Sequence, residues 1–290
     1  MNQTSIRQTE LYGLKKEFNE LVNLYIKKKL PNKILLSGQK GIGKCTLAYH
    51  LINYVLSKDE IYPYNFDKLC IDHKNHNFRL IQNGTNPNFF LLDINLEKKN
   101  IDIAQIRNLI NELNKSSFND KPRFVLIDNI EFLNINSINA LLKILEEPND
   151  NIFFILINND KKIIPTLSSR CLNFRISLNE EEKKDVCEKL FKEDIANLIN
   201  KDLINYYYSP GEIFQLLKFS HDKEINLKTT NLKDFLLLII NKSFYKENII
   251  TKNLVYNMFE FFLIKNVSLI YTDLSRYFLK RINEIKKFNL

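Results

Sequence analysis

Four short apolar runs punctuate the first part of the chain: Lys33-Ile34-Leu35-Leu36-Ser37, Phe89-Phe90-Leu91-Leu92-Asp93, Phe124-Val125-Leu126-Ile127, and Ile152 to Ile157 between Asn151 and Asn158. The last is unbroken, the pattern of a strand covered on both faces. Between the runs, key residues recur at helical spacing. Phe18 and Val22 mark a lead helix. Leu47, Leu51 and Val55, with Ala48 and Ile52, mark a helix from Lys44. Ile103, Ile106, Arg107 and Ile110 mark a third, and Ile138, Leu141, Leu142 and Leu145 a fourth, stopped by Pro148. This alternation predicts an α/β module over residues 1–176, a mainly parallel sheet with helices on both faces.

After Ser177 the strand signal disappears. Leu178-Asn179-Glu180-Glu181-Glu182 is an acid-rich helix start, favourable at the positive end of a helix dipole. Residues 177–222 read as a small helical lid, with Pro210-Gly211 between two of its helices. Residues 223–290 read as a further helical domain. In it, Leu254, Met258, Phe261 and Phe262 make one apolar stripe, and Ile270, Leu274, Phe278, Ile282 and Ile285 another. The longest apolar run, Phe235 to Ile240, fits a core helix. There is no internal repeat and no low-complexity linker.

Three of the chain's six glycines, Gly38, Gly41 and Gly43, fall within GQKGIGKCT, between the first apolar run and the Lys44 helix. Strand, glycine turn, lysine and helix together make a phosphate-binding loop, with backbone amides and Lys44 at a helix N-terminus as the cradle. The hydroxyl that normally follows the lysine and ligates Mg²⁺ is replaced by Cys45, and a neutral thiol is a poor ligand for a hard cation. Thr46 comes one residue later, about 100° further around the helix. The third apolar run ends in Asp128, placed to hold a metal ion, with a capping Asp as the alternative. Asn129 follows it, and an amide cannot act as a base near neutral pH. Glu131, two residues on, is expected to point elsewhere. Cys45 and Asn129 together predict weak or absent ATP hydrolysis.

The run Asn139 to Pro148, NALLKILEEP, precedes the fourth strand, and Pro165-Thr166-Leu167-Ser168-Ser169-Arg170-Cys171 follows it. This ensemble closely resembles bacterial clamp-loader subunits of the AAA+ superfamily, and among them the delta-prime subunits of DNA polymerase III. The likeness is dense from about residue 30 to 175. It implies an AAA+ P-loop module, a helical lid and a C-terminal all-helical collar that joins subunits into a ring. It also implies that Arg170, with Ser169 and Cys171 as motif neighbours, is an arginine finger serving the ATP of an adjacent subunit. A planar, permanently charged guanidinium suits that task. The other reading of Arg170 is a surface arginine paired with a carboxylate.

The resemblance further implies partners: clamp-loader ATPase subunits and a delta-like subunit in a hetero-oligomeric ring, with the sliding clamp and primed DNA reached through the complex in DNA replication. Gly38, Gly41, Gly43, Lys44, Cys45, Thr46 and Asp128 would form a degenerate nucleotide site that leaves weak ATP or ADP binding open. Mg²⁺ is disfavoured, and no cofactor is required. Many delta-prime relatives carry a four-cysteine zinc module soon after the P-loop helix. Here residues 59–88 offer only Cys70, His73 and His76, so zinc is not expected and a metal-free loop region is. ATP-hydrolysing relatives often have an arginine near Ser209-Pro210-Gly211, where this chain has Glu212, an acid that would repel phosphate.

Composition changes little. A chain of 290 residues suffices for two or three cores. The expected setting is the cytoplasm: the N-terminus lacks an apolar signal region, no segment is long enough to span a bilayer, and Cys45, Cys70, Cys171 and Cys187 form no disulfide framework. The net charge of +8 is spread with abundant Lys, Asn and Ile, and Lys27-Lys28-Lys29 fits a solvated helix end. Two alternatives remain open: an active clamp-loader ATPase of the gamma/tau kind, and a P-loop kinase or transferase. The second has no evident acceptor site and leaves the Ser-Arg-Cys segment unexplained.

Overall fold

The computed structural model describes residues 5–94, 100–146, 151–204, 208–246, 249–266 and 272–288. The chain divides into two compact units, 1–179 and 180–290.

Unit one holds α1 (Lys15–Ile26), β1 (Lys33–Ser37), α2 (Lys44–Leu56), α3 (His76–Gln82), β2 (Phe89–Leu92), α4 (Ile103–Leu113), β3 (Arg123–Ile127), α5 (Ile135–Glu146), β4 (Ile152–Asn158), α6 (Pro165–Ser168) and β5 (Leu172–Arg175). The five strands form one parallel sheet in the order β2-β3-β4-β1-β5. The predicted α/β class is the one observed.

Register explains why β3 and β4 are apolar along their lengths. Phe89, Phe124 and Phe153 are in-register neighbours on β2, β3 and β4. Phe124 and Phe153 stack at 5.3 Å, and the row meets Tyr25 of α1 and Tyr49 of α2. The next row, Phe90, Val125 and Phe154, packs on the opposite side with Ile106 and Leu109 of α4 and Leu141 and Leu145 of α5. Each central strand thus has helices on both faces, and every residue of β3 is buried.

Two elements depart from the sequence reading. β5 has no apolar pattern: Leu172 is half exposed, and the strand is held by its pairing with β1. Residues 59–88, expected as a loop region, contain α3 and a buried asparagine network. Asn75 caps α3 by accepting from the Phe78 amide at 2.7 Å, takes a bond from Asn53, and donates to the Tyr62 carbonyl. Asn86 donates to Asn77, which donates to the Leu56 carbonyl and to Glu60. Asn88 and Asn119 exchange amide bonds. Side-chain amides carry both donors and acceptors, so a chain of them can satisfy itself away from water. Cys70 pairs through its backbone with Glu10 and Asn65, and among the described residues no group of three or more His, Cys, Asp or Glu is placed to hold a metal ion.

Unit two is helical: α7 (Glu180–Phe191), α8 (Ile195–Leu198), α9 (Pro210–Asp222), α10 (Leu232–Asn241), α11 (Ile249–Lys265) and α12 (Thr272–Phe288). One core, including Cys187, Leu203, Leu216, Phe235, Ile239, Val255 and Met258, runs across position 222, where the sequence reading sets a lid–collar boundary. Leu254, Phe261 and Phe262 pack against that core. In the second stripe Ile282 is buried while Leu274 and Phe278 are exposed; Ile270 and the side chain of Ile285 lie outside the described residues, as does Pro148. Glu212 completes a capping box at the start of α9: its carboxylate accepts from the Ser209 amide, and the Ser209 hydroxyl accepts from its own. That local role accounts for an acid at this place. Among the described residues no helix is long and apolar enough to cross a membrane.

Candidate functional site: a degenerate phosphate loop and an anchored arginine

Because all strands run parallel, the segments leaving their C-terminal ends emerge at one edge of the sheet, where open α/β sheets place their ligand crevice. Gly38 follows β1, Asp93 follows β2, Asp128 follows β3 and Asn159 follows β4. Gly38, Gly41 and Gly43 have φ of 149°, 81° and 98°. Glycine is required at Gly38 for a second reason, since a Cβ there would lie 2.1 Å from the Ile176 carbonyl oxygen. The cradle is therefore formed as the spacing predicts.

The loop is closed from within by Lys44. The Lys44 ammonium is buried and donates to the Gly38 and Gln39 carbonyls at 2.7 and 2.6 Å. Burial pulls its pKa down to about 8, against the opposing pull of Asp128, Asp160 and Glu131. Burial pushes the pKa of the Cys45 thiol well up, and the Asp128 and Asp93 carboxyls add to the effect. Asp128 is itself raised to about 6, first by burial and then by Asp93. Thr46 is half buried in the first turn of α2.

Asn129 adopts a left-handed backbone (φ 57°) that begins a tight turn over Ile130–Phe132. Its amide donates to Asp93 at 2.9 Å and accepts from Asn159 at 2.9 Å. The turn also corrects the expectation for Glu131. Rather than pointing away, its carboxylate accepts from Asn159 at 2.9 Å and acts on both Lys44 and Asp128. Sequence spacing alone treats the chain after β3 as extended; the reversal at Asn129 brings Glu131 back. Asp93 and Asn159 have no signal in the motifs, and only their positions just after β2 and β4 foreshadow them.

At one position the side chains fit Mg²⁺ poorly, because the thiol of Cys45 stands for the ligating hydroxyl. Among the described residues the buried oxygens Glu131 Oε2 and Asn158 Oδ1 have no hydrogen-bond partner, and both are acceptors that would oppose phosphate oxygens. The loop backbone suits a phosphate; the side chains around it do not suit a metal-bound nucleotide.

Arg170 lies at the other candidate site, just past α6, whose start is set by Pro165 at its first position. Its Nη1 donates to the Thr166 carbonyl at 2.7 Å, and its Nη2 pairs with the Glu146 carboxylate. The pairing with a surface carboxylate, one of two readings open from sequence, is thus present. Ser169 is exposed and donates to the Thr166 carbonyl at 3.2 Å. Cys171 packs against the sheet core, and burial pushes its thiol up to about 11.

A family model described as "DNA polymerase III, delta subunit" matches residues 13–180. A DNA polymerase III subunit delta′ of Buchnera aphidicola subsp. Baizongia pistaciae is 30% identical over 214 residues, which cover 72% of this chain and 61% of that protein. A DNA polymerase III subunit gamma of Buchnera aphidicola subsp. Schizaphis graminum is 29% identical, covering 71% of this chain and 55% of that one. The chain thus spans somewhat more than half the length of these relatives. Among solved structures, a DNA polymerase III gamma-subunit-related protein from Thermotoga maritima has a TM-score of 0.44 at 18% identity, covering 91% of this chain and 78% of that one, a likeness too distant to carry an argument. From α1 through the phosphate loop to the Ser169-Arg170-Cys171 segment, the chain belongs to the DNA polymerase III delta-subunit family that includes the delta′ proteins.

Proposed function

We propose that this chain is a delta-prime-like subunit of the DNA polymerase III clamp loader, with little or no ATP hydrolysis of its own, that lends Arg170 to the nucleotide of a neighbouring ATPase subunit. The observation that carries this reading is that Asn129, which stands where an activating acid is expected, is engaged with Asp93 and Asn159, while the thiol of Cys45 stands where a metal-ligating hydroxyl is expected. Lys44, held by Gly38 and Gln39, points the same way. The chain would then act from outside another site. The guanidinium of Arg170 would neutralise charge on a transferring phosphoryl group, a contribution worth about 10³–10⁵ in rate when delivered in trans.

In this reading the partners are ATPase subunits of the gamma/tau kind and a delta-like subunit in a hetero-oligomeric ring. That ring opens the sliding clamp and releases it on primed DNA, in the cytoplasm. The helical second unit would supply the lid and the ring-forming collar. One observation favours the runner-up, an active ATPase: Glu131 faces the loop, and a carboxylate there can orient a water.

ATP turnover separates the two. The purified chain is expected to show none alone and to support turnover when mixed with active ATPase subunits, clamp and primed DNA. Arg170→Ala is expected to lower that turnover by about a hundredfold or more while leaving thermal stability and assembly intact. Robust turnover by the isolated chain, lost on Glu131→Gln, would make it a motor instead.

A further inference from the structure

The two motifs that flank β4 pack through Leu141, Leu145 and Leu167, and they also share a polar contact, which is an odd one. Glu146 is the last residue of α5, where the negative end of the helix dipole disfavours a carboxylate. It is nonetheless bound to Arg170. Stability does not explain this pair. The two side chains are 33% and 55% exposed, and ion pairs so open to water contribute about 0–1 kcal/mol. Geometry explains it better. A guanidinium has five N–H groups in a fixed plane. One on Nη1 goes to the Thr166 carbonyl and one on Nη2 goes to Glu146. Two anchors on different nitrogens fix both the position and the plane of the group, and among the described residues its other three N–H groups meet no acceptor.

We propose that Glu146 is the positioning residue for Arg170, holding the guanidinium in a preset plane so that a neighbouring subunit's phosphates meet it already oriented. The proposal rests on the finger reading above. An unrestrained arginine loses about 2 kcal/mol of side-chain freedom when it is fixed. Glu146 and Thr166 place much of that ordering before the subunits meet. The carboxylate need only accept a hydrogen bond to do so, and an amide oxygen at the same place serves nearly as well.

The test uses the assembled complex with clamp and primed DNA, measuring kcat and KM for ATP with wild type, Glu146→Ala, Glu146→Gln, Arg170→Ala and Glu146→Ala/Arg170→Ala. Melting temperature and assembly are checked for each. Glu146→Ala is expected to lower kcat by about tenfold with little change in KM, as misplacement of a catalytic group does. Glu146→Gln is expected to keep more than half the wild-type rate. In the Arg170→Ala background, Glu146→Ala is expected to have no further effect. An equal loss in both backgrounds would mean that Glu146 acts on structure rather than through Arg170, and would overturn the proposal. So would a gain in rate, which would make Glu146 a restraint, or an unchanged rate. If Arg170→Ala itself leaves turnover intact, the finger reading falls and this proposal with it. If Arg170→Ala is damaging and Glu146→Ala is not, only the positioning role falls.

Discussion

At the scale of single residues, Asp128 shows how the degenerate site is poised. Its carboxyl is raised from 3.8 to about 6, so the fold prefers it protonated. That preference contributes stability at low pH, and the contribution is lost as pH rises through about 6. At neutral pH the ionised group beside Asp93 is a cost. Asp128→Asn keeps an oxygen able to accept from the Asn129 amide, now 2.8 Å away, and removes the charge. We expect the variant to be more stable at pH 7.5 by roughly 1–2 kcal/mol, with the difference gone near pH 4, as read by thermal melting across pH. An unchanged or lower melting temperature at pH 7.5 would show that the charge is not strained. The sequence made Asp128 and Cys45 visible through their spacing from the strand and the glycines. It hid Glu131, because a residue's direction after a strand depends on one backbone reversal at Asn129 that no periodicity records.

At the scale of elements, the helices and strands with apolar patterns were legible, and those held by polar contacts were not. β5 is a strand because β1 offers it an edge, and α3 is a helix within a region of turns because Asn75 caps it. Asn75 also joins α2 to the loop at Tyr62. Asn75→Ala is therefore expected to cost about 1 kcal/mol for the cap and about 1–3 kcal/mol for the buried groups left unpaired. A loss of roughly 2–4 kcal/mol in urea unfolding would agree with those principles, and a loss below about 0.5 kcal/mol would mean the network is incidental. Residues 59–88 thus contribute to a network of side-chain amides that can serve as a staple. Composition could not distinguish this from a mere loop, since asparagine is abundant everywhere in the chain.

At the scale of the molecule, one close approach ties the start of the phosphate loop to the end of the first unit. Gly38 lies against the Ile176 carbonyl, and the Ile176 amide donates to Ser37 at 2.8 Å. Gly38→Ala would have to move backbone rather than a flexible side chain, in a conformation that L side chains rarely adopt. We expect it to shift the unfolding midpoint by several kcal/mol or to prevent folding, whereas Gly84→Ala, with open space around it, tests the cost of a positive φ alone. Equal effects from the two would show that the contact with Ile176 does not matter.

What the sequence determined by itself is local. Apolar periodicity set four strands and their helices, glycine spacing set the loop, and the replacement of a hydroxyl by Cys45 and of an acid by Asn129 marked the site as altered. What only tertiary structure decided is which groups face one another. Parallel pairing gathers Asp128, Glu131 and Asp160 near Lys44, and joins Asp93 and Asn159 through Asn129, although these residues follow three different strands. The same folding sets Glu146 against Arg170 across 24 positions. Periodicity reports which side of an element is buried; it carries no record of the partner that a polar side chain will find, because that depends on where the other elements come to rest.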